Sequence, residues 1–370
     1  MAQNQKSKKL VALLLDWFST SARDLPWRRT HDPYAIWVSE IMLQQTQVKT
    51  VMPYWERWMR KLPTIKAAAA AHPDKLHKLW EGLGYYTRVR NLQKAAQAIV
   101  EQHGGKFPES FDAVLALPGI GRYTAGAICS IAFNQPTPLL DGNVIRVLTR
   151  IFGIAENPKE KQTNAKLWEL AEQLVVNSQS VIGHSPYNCS HLNQSLMELG
   201  ALICTPRSPQ CLICPVRKLC VAFKEGRTEE LPNLGKREVA TARHFMAFAV
   251  EHKGKFLVRQ RPAGVVNAHL WEFPNVEVGT RSCEPQELFA ELNALGIADP
   301  RAELLKPLAT IKHSITRYRI TVKAFLISLA KAPRKTTGVW KSPAQLDLLA
   351  FTAAHKKLAS LAAARILSDR

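Results

Sequence analysis

Four cysteines fall within seventeen residues of this chain: Cys204, Cys211, Cys214 and Cys220, in CTPRSPQCLICPVRKLC, a C-x6-C-x2-C-x5-C spacing. No other feature restricts the fold as strongly, because a loop this short must close on itself if all four thiols bind one centre. The opening MAQNQKSKKLVALLLDWF carries an apolar run, Leu10–Leu15, too short to span a bilayer and without a small-residue cleavage site. It reads as a core helix, so no membrane association is expected and the seven cysteines are placed in the reducing cytoplasm, where clustered thiols bind metal more often than they pair. Four thiolates suit either tetrahedral zinc or an iron–sulfur cluster. Zinc favours two CxxC pairs or Cys/His pairs, whereas here one CxxC stands between long arms, so spacing favours iron and sulfur over zinc, and either over plain buried cysteines. A four-cysteine set leaves no open coordination position, which points to structure rather than catalysis. Arg207, Arg217 and Lys218 on the same loop offer cations to a phosphate backbone.

Charge narrows the partner class. Lys and Arg outnumber Asp and Glu by 50 to 30, a formal +20, and a field of that sign attracts polyanions. From about residue 8 to 220 apolar residues recur at helical spacing, in Ala35–Val51, Pro73–Trp80, Thr87–Gln102, Ala165–Asn177 and Leu192–Ile203, separated by glycine and proline clusters. An all-α domain is expected over 1–224. The polar, aperiodic EGRTEELPNLGKRE lies in a linker placed at 225–239. Over 240–370 the texture changes: HFMAFAVEHKGKFLVRQRP reads as a β-hairpin, RYRITVKAFLISL as another strand, and Pro285–Leu295 and Pro343–Ala350 as helices. The second domain is therefore α+β.

Within the first domain, FDAVLALPGIGRYTAGAICSIAF places a helix, the LPGIG turn and a second helix from about Arg122. Pro118 stops the first helix, Gly119 and Gly121 permit a tight turn and close approach, and the free N–H groups of the second helix suit an anion such as a DNA phosphate. A plain αα-hairpin is the alternative. Further on, PLLDGNVIRVLTRIFG sets Asp141 at the mouth of an apolar helix, as an N-cap or as a catalytic carboxylate. Glu40, in PYAIWVSEIMLQQTQV, occupies an apolar helical stretch where an unpaired carboxylate is expensive to bury, so it either lies on an exposed face or has a function.

Together the LPGIGRYTAG hairpin, the LDGNV that follows and the cysteine loop resemble the helix-hairpin-helix glycosylases of the endonuclease III superfamily. LPWR at 25–28, VSEIMLQQTQV at 38–48 and GLGYYTRVRNL at 82–92 resemble its MutY branch, the adenine DNA glycosylases. The resemblance implies a multidomain chain, an all-α helix-hairpin-helix glycosylase domain with an iron–sulfur loop followed by an α+β MutT-like (Nudix-like) domain. It implies base excision repair by a monomer: removal of adenine mispaired with 8-oxoguanine or guanine in double-stranded DNA, and one four-iron four-sulfur cluster on the four cysteines. Glu40 matches the general acid that protonates the adenine, and Asp141 the carboxylate that stabilises an oxocarbenium-like sugar. Asn143 matches a residue that holds the catalytic group. Gln45 and Tyr85 match residues that wedge into the base stack, with Thr46 beside them among the DNA-contacting positions. Arg28 and Gln194 match the lining of the adenine pocket. At the hairpin position where endonuclease III carries a Schiff-base Lys this chain has Tyr123, so no amine is offered and an intact abasic site is expected. The competing readings are a bifunctional glycosylase/lyase and a non-catalytic mismatch binder.

The resemblance continues more weakly over about 240–366. The acids between Gly264 and Leu295 are scattered, without the clustered glutamates a magnesium-dependent pyrophosphohydrolase needs, so nucleotide hydrolysis is not expected. WEFPN at 271–275 matches the related turn. In the segment that the family uses to read 8-oxoguanine, His313, Ser314 and Thr316 offer hydrogen-bonding groups, while Ile315 and Arg317 depart from the usual Phe and His.

Overall fold

The computed structural model describes residues 2–180, 188–235, 239–279, 292–293, 305–315, 317–333 and 336–368. They form two compact units, Met1–Ala70 with Arg90–Arg237, and Ala71–Val89 with Glu238–Arg370. The stretch read as a linker is grouped with the first unit as far as Arg237. Its Leu231 is buried, and its carbonyl accepts a hydrogen bond from Arg150 Nε at 2.8 Å. Conversely, residues 71–89, read as part of the first domain, group with the second.

The described part of the first unit is helical, as the 3.6-residue periodicity requires. Its helices are α1 (Ala2–Ser21), α2 (Pro33–Leu43), α3 (Val48–Lys61), α4 (Ile65–Ala70), most of α6 (Thr87–His103), α7 (Phe111–Leu115), α8 (Arg122–Phe133), α9 (Gly142–Phe152), α10 (Lys161–Ser178), α11 (Asn188–Leu202) and a short α12 (Val221–Lys224), with α5 (Pro73–Trp80) in the second unit. Leu10 and Leu14 of α1, Val147 and Leu148 of α9, Leu174 of α10, and Leu192 and Leu196 of α11 share one apolar core. The expected Ala35–Val51 helix is two helices. α2 begins with Pro33 behind Asp32, whose carboxylate accepts from Tyr34 N, and it ends where Gln45 takes φ 56. That left-handed residue breaks the i to i−4 ladder although no glycine marks it. α3 then continues to Lys61 with Pro53 tolerated inside it.

The hairpin forms from α7 and α8. Gly119 has φ 77, and a Cβ there would lie 2.5 Å from that of Asn91, so both conformation and space demand glycine. Gly121 is the N-cap of α8 with an ordinary φ of −99, and nothing lies within 4 Å of a Cβ built there. The tight turn thus belongs to Gly119, while Gly121 leaves the helix N-terminus uncovered.

Among the described residues the second unit is built on a seven-stranded sheet, β1 (Thr241–His252), β2 (Lys255–Gln260), β3 (Trp271–Glu272), β4 (Asn275–Val278), β5 (Lys306–Ile315), β6 (Tyr318–Ser328) and β7 (Val339–Lys341). The order is β3-β2-β1-β6-β5, with β4 paired to β1 and β7 to β2, and β1 runs parallel to β6 at the centre. Alternation along β1 sends Ala247 and Ala249 to one core and Met246, Phe248 and Val250 to the other. α14 (Ala353–Ser368) buries Leu358 and Ala362 in the first of these cores. The expected hairpin and the RYRITVKAFLISL strand are present, whereas Pro343–Ala350 is helical only over α13 (Pro343–Leu346). The Pro285–Leu295 expectation lies outside the described residues save for 292 and 293. Glu81, after α5, is buried and accepts from Phe351 N at 3.0 Å, Lys78 Nζ at 2.9 Å and Lys356 Nζ at 2.6 Å, which ties residues 71–89 into this unit.

Candidate active site

Helix α2 presents Glu40 to the interior at 5% exposure, beside a cavity of about 500 Å3 in the first unit. Arg28, Thr46, Tyr123, Asp141, Asn143 and Gln194 line the same cavity, so seven positions singled out in the sequence meet at one place. Tyr123, on the first turn of α8, donates its hydroxyl proton to Glu40 Oε2 at 2.6 Å. Burial pushes the Glu40 carboxyl up to about 7; the Tyr123 hydrogen bond works against burial, Asp141 adds to it, and Arg28 opposes it. An acid near neutrality is well suited to donate a proton at physiological pH.

Asp141 is both things its sequence context allowed. Its Oδ1 accepts from Val144 N at 2.7 Å and so caps α9, while its Oδ2 accepts from Asn143 Nδ2 at 2.8 Å beside the cavity. Burial raises its pKa as well, opposed by those hydrogen bonds and by Arg146. The N-terminal end of α9 also favours a negative charge there. Arg146 holds Asn143 Oδ1 at 2.8 Å and, through Nε, the Cys204 carbonyl at 2.7 Å.

Other expected positions lie elsewhere. Gln45 is exposed, and Tyr85, in the second unit, is 44% exposed with φ 47; both are non-glycine residues in the left-handed region, a strained state that proteins keep mainly at functional sites. Gly119 and Gly121 form the hairpin turn. On β5, His313 is half-buried with its pKa lowered by burial, and Ser314 Oγ accepts from Arg319 Nη1 at 3.0 Å. Thr316 lies outside the described residues.

Residues 38–173 match the HhH-GPD superfamily of base excision DNA repair proteins, 204–220 the iron–sulfur binding domain of endonuclease III, and 246–361 the NUDIX domain. An adenine DNA glycosylase of Rattus norvegicus is 35% identical over 93% of this chain and 76% of its own length, and one of Buchnera aphidicola (subsp. Schizaphis graminum) is 32% identical over 89% and 91%. The chain belongs to the adenine DNA glycosylase family. Among solved structures, a thermostable thymine-DNA glycosylase is similar with a TM-score of 0.54 and 31% identity, covering 61% of this chain and all of that one. As an adenine DNA glycosylase the chain is a DNA-binding N-glycosyl hydrolase of base excision repair. Among the described residues no helix is long and apolar enough to cross a membrane.

The cysteine loop of this glycosylase carries one four-iron four-sulfur cluster, and its residues fit that group. Cys204, Cys211, Cys214 and Cys220 all line one pocket together with Val147, Ile151, Leu199 and Val216, and none of the four is in a disulfide. Among the described residues no three His, Cys, Asp or Glu gather as the ligands of a single ion would, while all four cysteines line one pocket. Arg150 donates to Cys204 Sγ at 3.4 Å and to the Thr205 carbonyl at 2.8 Å. Burial first, then the neighbouring Cys204, Cys220 and Cys211, push the Cys214 thiol up to about 12, a penalty that iron removes because a metal-bound thiol gives up its proton.

The sequence reading missed Glu198. It lies on α11, 1% exposed, between Arg23 and Arg28 at the cavity wall. Its signal was the one that exposed Glu40, a carboxylate in an apolar helical stretch, here LNQSLMELG.

Proposed function

We propose that the cavity receives an adenine flipped from duplex DNA opposite 8-oxoguanine or guanine, and that Glu40 and Asp141 divide the work of releasing it. Adenine is a poor leaving group until protonated, and the sugar then carries positive charge that needs an anion close by. Glu40 holds its proton near neutral pH and gives it to the base. Asp141, with two hydrogen bonds and a helix N-terminus favouring its ionised form, faces the cationic sugar. Tyr123 orients the acid, and Arg28 and Gln194 line the base pocket. Tyr123 supplies no amine, so the product is an intact abasic site and the enzyme is monofunctional. Gln45, Thr46 and Tyr85 are the candidates to fill the gap the base leaves, and His313, Ser314 and Thr316 to read the opposite base. The cluster, held by its four cysteines, supplies a fixed scaffold for a loop whose Arg207, Arg217 and Lys218 meet the phosphate backbone. A monomer acting in a reducing cytoplasm suits such a cluster.

The observation that carries this reading is a buried and a half-buried carboxylate beside one cavity in contrasting hydrogen-bond environments, a proton-holding Glu40 and a capped Asp141. Replacing either, as Glu40→Gln or Asp141→Asn, is expected to cut single-turnover adenine release by about a hundredfold to ten-thousandfold while mismatch binding persists. Release at the unmodified rate by either variant would contradict it.

A further inference from the structure

Glu198 is the most heavily engaged carboxylate near the pocket, and the reading of Glu40 as the acid assigns it no task. Its Oε1 accepts from Arg23 N at 3.0 Å, Arg23 Nε at 2.8 Å and Arg28 Nη1 at 3.1 Å, and its Oε2 from Arg23 Nη2 at 2.6 Å and Arg28 Nη2 at 3.0 Å. Those five bonds exceed the roughly four lone-pair sites of a carboxylate, so no acceptor capacity is left for a substrate. Arg28 is fixed from two further directions, by its bond to the Arg23 carbonyl at 3.1 Å and by the Phe18 ring, 5.3 Å from its guanidinium carbon. Burial alone would raise the Glu198 carboxyl, but the two guanidiniums outweigh burial and hold it at about 2, so it is an anion at every working pH.

We propose that Glu198 is a positioning residue for adenine release: it clamps Arg23 and Arg28 in place and sets how much positive charge the pocket presents to Glu40. The trio of Arg23, Arg28 and Glu198 carries a net charge of one. Removing the carboxylate charge leaves two, and removing Arg28 leaves none. Glu40 also faces Tyr123 from α8 and Asp141 from the start of α9, with Lys49 of α3 on the cavity wall and Arg146 behind Asn143. Those groups are untouched by either change. A more positive trio favours the ionised Glu40, which then loses its proton at lower pH; a neutral trio does the reverse.

The inference rests on Glu40 being the acid, and one experiment separates the two. Single-turnover adenine release is followed from mildly acidic to mildly alkaline pH for the cluster-loaded enzyme and for E198Q, E198D, R28Q and E40Q. The alkaline limb of E198Q is expected to move down by about one pH unit, that of R28Q to move up, and E198D, which keeps the charge, to stay near the parent. A limb of E198Q that coincides with the parent's, or an E198D limb displaced as far as that of E198Q, would overturn the inference. Should E198Q not accumulate as a folded protein, R28Q decides by direction alone, since a limb that stays or falls contradicts the clamp. A parent enzyme without an alkaline limb near neutrality, or an E40Q variant with the parent's profile, would instead refute the reading of Glu40.

Discussion

Removing one hydroxyl tests the acid's environment most finely. Tyr123→Phe deletes the 2.6 Å hydrogen bond to Glu40 Oε2, together with the 3.7 Å contact of the same hydroxyl to Met197 Sδ, while keeping the ring itself in the pocket. A hydrogen bond to an ionised buried acceptor is worth about 1.5–3 kcal/mol, and one pKa unit corresponds to about 1.4 kcal/mol. The bond favours the charged carboxylate, so losing it raises Glu40 by about 1–2 units above its value of about 7. The pH profile of single-turnover adenine release therefore shifts its alkaline limb upward. The acidic plateau falls at the same time, by about ten- to a hundredfold, because the carboxyl is no longer held toward the base. The two effects make the parent and variant curves converge as pH rises. A plateau that falls with the limb unmoved would mean that Tyr123 serves only packing, and a limb that moves down would refute the electrostatic reasoning outright.

Stability carries a related signature. Glu40 has a folded-state pKa of about 7 against 4.5 for the free group, so the native state keeps a proton that the unfolded chain releases, and stability falls as pH rises through that window. The loss is on the order of 3 kcal/mol once complete, so Glu40→Gln is expected to be more stable than the parent by about that much near pH 8 and little different near pH 4; equal gaps in urea denaturation midpoints at both pH values would contradict it. Cys214→Ser removes one ligand of the cluster and is expected to abolish the broad visible absorbance and lower the thermal midpoint. Unchanged absorbance would place the cluster elsewhere.

Much of the site was legible because its chemistry violates local rules. A carboxylate amid PYAIWVSEIML and an Asp before GNVIRVL are conspicuous in sequence, and the structure brings them to one cavity. Glu198 shares the first signature, yet Asn193 and Gln194 beside it give that helix a polar texture that masks it. Its role rests on Arg23 and Arg28, about 170 residues away, a pairing that no local pattern encodes. The break between α2 and α3 was hidden for a different reason: Gln44, Gln45 and Gln47 all have good helix propensity, and only the φ of Gln45 records the interruption. In the second unit, β5 reads KPLATIKHSI, too polar for a clear alternation, because among the described residues it pairs with β6 alone, at the sheet edge, and leaves half its residues to solvent. The grouping of residues 71–89 with that unit depends on Glu81 meeting Lys356 and the Phe351 amide, a contact across some 270 residues that composition cannot reveal.

Excision of adenine from a mispair is the activity proposed for the pocket of Glu40, Tyr123 and Asp141. Free adenine released from matched duplexes with A placed opposite 8-oxoguanine, guanine, cytosine or thymine tests it most directly. Release from the first two duplexes, with the strand left intact at the abasic site until treated with base, is the expected result. No release from those two, or strand cleavage concurrent with base loss, would contradict the account.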